Sequence, residues 1–151
     1  MLQERIEQDL KSALLSRDAA KVSVLRSLKS AITYAEVARG VKGSDGLNDP
    51  EVIDVLAKES KKRQESATLF MKGGASDRAA KELEERAIID QYLPAALTKE
   101  EIGELVNKAI QTLGEVTPQN MGQIIGYVKQ AAKGAADGSI VAEVVKERLK
   151  R

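Results

Sequence analysis

Leu2, Ile6, Leu10 and Leu14 recur every four residues with Ala13 on the same face, a period that predicts an amphipathic helix over residues 2–16. Asp18 is placed to cap a second helix. From there to about Arg39, Val24, Leu25, Leu28, Ala31, Ile32 and Ala35 form one apolar stripe, about 33 Å long at the α-helical rise. Gly40, Gly43, Asp45, Gly46 and Asn48 then gather turn-forming residues, and a mobile loop is expected there. Asp49 as N-cap, with Pro50 at the first helical position where a missing amide donor is harmless, predicts a third helix reaching Lys72. Gly73 and Gly74 end it. Ser76 or Asp77 caps a fourth helix that runs through Leu83, Ala87 and Ile88 to Tyr92-Leu93-Pro94, where Pro94 disfavours helical geometry in Leu93.

Thr98-Lys99-Glu100-Glu101 fits a capping box, and Ile102, Leu105, Val106, Ala109, Ile110 and Leu113 give the fifth helix its stripe. Thr117-Pro118 repeats a cap-plus-proline start for a sixth helix over 118–133, with Gly134 as its stop. Asp137-Gly138-Ser139 forms the next turn, and Ser139 is expected to cap a last helix bearing Ile140, Val144, Val145 and Leu149. Nothing alternates as a strand does. The expected fold class is all-α, an N-terminal module of long helices over 1–93 followed by a small three-helix C-terminal domain over 94–151.

Composition then narrows the chemistry. The chain has 151 residues, 42% hydrophobic and 31% charged, with a net charge of +1, a profile of globular proteins that bury a real core. No stretch is long and apolar enough to span a bilayer, and the first residues show no apolar signal core, so no membrane partner and a cytoplasmic location are expected. Without His or Cys there is no imidazole base, thiol nucleophile or Cys/His zinc site. No catalytic residue, metal or cofactor is therefore expected. Four scattered aromatics, Tyr34, Phe70, Tyr92 and Tyr127, make no stacking platform for single-stranded RNA. Charge is balanced in both modules, so any role with nucleic acid rests on a local patch.

The densest charge run, Lys58 to Ser66, lies on the third helix. Val52, Leu56, Ala67 and Phe70 mark its apolar face, yet Glu59 and Arg63 fall in the middle of that face, spaced i,i+4 with the acid first. They read as a structural ion pair covered by a neighbouring segment; the alternative is a charged groove in which Arg63 grips a phosphate or carboxylate. Lys58, Lys61 and Lys62 lie opposite, as a solvated face or a phosphate-contacting patch. On the sixth helix Met121, Gly122 and Gly126 read as helix packing, with ligand contact the alternative. Lys129 and Lys133, one turn apart, flank Gly134 and the Asp137-Gly138-Ser139 turn, where the last helix begins and free amides can hold an anion. These five residues after the glycine pair, with Gly134, are the leading RNA-binding candidates.

Several blocks together resemble the YqeY-like proteins of the GatB/YqeY family: Arg17-Asp18 with Leu25-Arg26, Lys58-Glu59 with Lys62-Arg63-Gln64-Glu65-Ser66, Tyr92-Leu93-Pro94, Met121-Gly122 with Gly126, and Lys133 through Ser139. Ile125 and Gln130-Ala131 depart from the family's usual residues. The resemblance implies a C-terminal domain similar to the tail of the B subunit of tRNA-dependent amidotransferase, which helps hold tRNA. Family labels carry carbon–nitrogen ligase activity with glutamine as amido donor, but nothing in this chain resembles the catalytic centres of that enzyme. The expected function is thus a non-catalytic RNA-interacting adaptor that takes tRNA by shape and phosphates. The alternative is a protein-interaction module that docks a translation or amidotransferase subunit. The oligomeric state is left open.

Overall fold

The computed structural model describes residues 1–40, 46–114, 116–133 and 135–150. Among them are seven α-helices and no strand, so the chain is all-α. The helices are α1 (Leu2–Ser16), α2 (Ala19–Arg39), α3 (Asp49–Lys72), α4 (Ser76–Asp90), α5 (Lys99–Leu113), α6 (Met121–Ala132) and α7 (Gly138–Leu149). Residues 41–45 of the expected mobile loop lie outside the described residues, as does Gly134.

Local chemistry sets the helix starts. Asp18 accepts the Lys21 amide at 3.1 Å, and the Thr98 and Glu101 side chains satisfy each other's amides at 3.2 and 2.8 Å. Four starts differ from the sequence pattern. Asn48, not Asp49, caps α3 in a box with Glu51. Asp49 thereby enters the first turn and its carboxylate accepts the Leu2 amide at 3.0 Å, serving α1 instead of its own helix. Asp137, not Ser139, caps α7, accepting the Ser139 amide at 2.7 Å. Neither Ser76 nor Asp77 caps α4, whose N-cap is Ala75. Thr117-Pro118 opens a 3-10 turn, Pro118–Asn120, before α6 rather than α-helix from the outset.

The residues gather into two compact units, Met1–Leu93 and Pro94–Arg151. In the first, Ile6 and Ala13 of α1, Val24, Leu25, Leu28 and Ile32 of α2, and Val52 and Leu56 of α3 meet Ile89 of α4 and Tyr92 in one buried cluster. Tyr92 fastens the end of α4 onto α1: its hydroxyl donates to Asp9, and the Arg5 guanidinium lies 4.9 Å from the ring centre. Burial first, then the Asp9 carboxylate, raise the Tyr92 phenol well above its ordinary range, against a smaller opposing pull from Arg5.

Past Leu56, α3 leaves this cluster and runs on beside α4 as a two-helix arm turned by Gly73 and Gly74. Its buried apolar residues are only Ala67 and Ala79. The second unit has its own cluster, with Ile102, Val106 and Ala109 of α5, Ile124 and Val128 of α6, and Val141, Val144 and Val145 of α7. The Leu97 amide donates to the Ala135 carbonyl at 2.9 Å, tying the entry of α5 to the α6–α7 turn.

Candidate functional site

The charge run on α3 is an interhelical fastening. Glu59 and Arg63 do not pair with each other as their spacing predicts. Arg63 reaches across to Glu82 at 3.5 Å and to Glu85, both on α4, while Glu59 pairs with Lys62 at 3.2 Å. The reason is partner supply: two partly buried carboxylates face Arg63 from α4, and all three side chains are 23% exposed or less. One turn along, buried Ser60 donates to Asp90 at 2.6 Å and accepts from Arg86, which also donates to Gln64. Arg63 is thus occupied within the fold and leaves no open groove. Lys58, Lys61 and Lys62 stand exposed on the outer side of the arm.

On α6 the structure corrects the packing expectation for Gly122 and Gly126. A methyl group built on either meets nothing within 4 Å. No neighbouring helix needs the missing side chains; Gly126, in mid-helix, costs about 0.5–1 kcal/mol relative to Ala, and Gly122, in the first turn, costs less. Met121 is the member of that group that packs, partly buried against the second cluster. At 100° per residue, Gly122, Gly126 and Lys129 fall within about 60° of one another, on a single exposed face of α6. Lys133, in left-handed conformation with φ 49°, ends the helix beyond them.

The same face meets the start of α7. A Cβ on Gly138 would lie 3.3 Å from both Cε and Nζ of Lys129, so the lysine lies over the first residue of α7. Asp137 and Ser139 are engaged with each other there, so one of the amides expected to be free is already taken. From Val116 to Ala136 the sequence has two lysines and no carboxylate. In so highly charged a chain this stretch is cationic, with the Asp137 carboxylate that caps α7 as the acid at its end.

A second cationic place was not singled out from the sequence. Leu14 and Arg17 at the end of α1 and Ala19, Val22, Ser23 and Arg26 on one face of α2 line a cavity of about 530 Å³. Arg17 and Arg26 contributed to the family resemblance, but balanced charge over the whole module concealed them. The signal was a shorter window. Between Leu10 and Leu28 stand Lys11, Arg17, Lys21 and Arg26 against the single carboxylate of Asp18. Among the described residues, no group of three or more acidic side chains is arranged to hold a metal ion.

The profile of the Yqey-like protein family matches residues 3–149, nearly the whole chain. The chain belongs to the Yqey-like protein family. Curated relatives carry the name altered inheritance of mitochondria protein 41, mitochondrial. That of Kluyveromyces lactis is 31% identical over 127 residues, covering 82% of this chain and 66% of the relative. That of Eremothecium gossypii is 33% identical over 111 residues, covering 74% and 58%, and a Saccharomyces cerevisiae protein is 32% identical over 88 residues, covering 58% and 46%. The chain thus spans two thirds or less of the length of these relatives. Neither the family description nor these names states a reaction. The names overturn the cytoplasmic expectation, since the relatives are mitochondrial proteins. That expectation rested on lacking a membrane or signal pattern, which carries no positive information about compartment.

Proposed function

We propose that this Yqey-like protein is a non-catalytic adaptor that binds folded RNA, tRNA foremost, through the exposed face of α6 and its junction with α7. The observation that carries the reading is the open glycine face: Gly122 and Gly126 present bare backbone to solvent beside Lys129 and Lys133. A sugar-phosphate backbone can approach such a face closely, and the lysines supply the charge-based contacts that fix position without reading sequence. Similarity to the amidotransferase tail domain supports the same surface. The names of the relatives speak of mitochondria and not of RNA, so the reading stands on the surface chemistry of this chain.

Titration of tRNA binding against salt tests it. The full chain should show a steep negative slope of log affinity against log salt. Lys129→Glu with Lys133→Glu should weaken binding across all tRNA sequences and flatten the slope by about one unit per lost phosphate contact. Reversal at Lys58, Lys61 and Lys62 should matter less. Unchanged binding in the first double variant sinks the assignment to α6. A second reading, a module that docks a protein partner, is favoured by one observation: Leu69, Met71 and Leu83 stand 68%, 60% and 43% exposed on the arm. It predicts a partner that is lost on Leu69→Ser with Met71→Ser and is insensitive to ribonuclease.

A further inference from the structure

The cavity between the end of α1 and the face of α2 has no task in the preceding reading. It is an open depression on the surface, lined by apolar Leu14, Ala19 and Val22 together with Arg17, Ser23 and Arg26. Among the described residues neither arginine pairs with a carboxylate, although Arg5, Arg39, Arg63 and Arg86 are each engaged elsewhere in the same unit. The one nearby acid in sequence, Asp18, is turned to its own helix and caps Lys21.

Arg17 also stands where an arginine is not the easiest residue. It ends α1 in the left-handed region, φ 57°, while Gly40, Gly74 and Gly114 take positive φ elsewhere in the chain. A β-carbon is disfavoured there, so an arginine at this lining position carries a conformational cost that glycine avoids.

We propose that this cavity binds a phosphate-bearing amphiphile, the phosphate between Arg17 and Arg26 and the apolar portion against Leu14 and Val22. Two guanidinium groups can each donate to the charged free oxygens of a phosphate, in a monoester or a diester alike. About 530 Å³ exceeds what a phosphate alone fills and lies in the range of small-molecule sites, which leaves the apolar wall for an alkyl or acyl chain. The ligand source is either a free amphiphile or a lipid presented by a bilayer, and both offer the same headgroup chemistry.

Calorimetric titration of the full chain with monomeric short-chain phosphatidylglycerol tests the proposal. Saturable binding is expected, and Arg26→Ala should weaken it about tenfold or more. Arg17→Gly should weaken it similarly while leaving thermal stability equal or higher, because glycine relieves the left-handed strain; this variant separates binding from folding. Sedimentation with phosphatidylglycerol vesicles distinguishes the sources: co-sedimentation lost in both variants assigns a bilayer lipid, and binding of the monomeric probe alone assigns a free ligand. Absence of saturable binding, binding unchanged in both variants, or inorganic phosphate binding as tightly as the amphiphile overturns the proposal.

Discussion

Arg63 sits between Glu82 and Glu85 with its side chain 20% exposed, so removing it leaves two partly buried carboxylates facing each other without a cation. Arg63→Ala should therefore destabilise the first unit by about 1–3 kcal/mol, below the full cost for a completely buried pair because water still reaches these groups. Urea denaturation measures it, and an unchanged midpoint would show the fastening to be idle. Glu59→Ala, by contrast, loses only a contact to exposed Lys62 and should cost about 0.5 kcal/mol or less. Tyr92 carries a pH prediction. Its phenol is raised in the folded state, so it favours folding fully below the ordinary tyrosine value of about 10 and loses that contribution as pH climbs above it. Tyr92→Phe should flatten the decline in stability on the alkaline side, followed by thermal melts across that range; an identical decline in both proteins refutes the assignment. At this scale the sequence made Arg63 conspicuous but not its partners. An i,i+4 spacing announces a neighbour on the same helix, whereas Glu82 and Glu85 become neighbours only once α4 has folded back along α3.

The glycine pair belongs to the scale of one helix. Because a methyl group on Gly122 or Gly126 meets no neighbour, Gly122→Ala with Gly126→Ala should stabilise the second unit by about 1 kcal/mol, most of it from Gly126. The same variant should weaken tRNA binding if the bare backbone is what the RNA approaches. Chemical denaturation and filter binding read the two effects separately, and destabilisation would mean that the glycines do meet a packed surface. Helix periods were plain in the apolar spacing, from Leu2 through Leu14 and from Ile102 through Leu113, because burial imposes that spacing directly. Caps were less legible where several short polar residues stand together. Asn48 and Asp49 both have capping side chains, and the choice of Asn48 depends on Asp49 finding the Leu2 amide, 47 residues away. Glycine spacing alone was ambiguous for a related reason: the same i,i+4 pattern serves a packed interface and a bare one.

The two units keep separate hydrophobic clusters with no residue in common, so cohesion of the second does not depend on the first for its core. A fragment of residues 94–151 should fold on its own, with modest stability, since a chain of about 60 residues buries only about 60% of its unfolded surface. Circular dichroism should show a cooperative thermal transition; a broad, featureless melt would refute independence. All-α character could be read from proline, glycine and apolar spacing. The cavity beside Arg17 and Arg26 could not, because charge averaged over 93 residues cancels a local excess confined to one end of a helical hairpin. The α3–α4 arm has one more consequence. Since Ile88 and Ile89 root α4 in the first cluster while Ala67 and Ala79, nearer the tip, are buried within the arm, its reach is a variable the core does not constrain. Matched insertions of about seven residues, two helical turns, into both helices keep every facing pair in register and carry the Gly73-Gly74 tip about 10 Å outward. The arm is in that sense a ruler, whose length can change in discrete steps while the scaffold holding it stays the same.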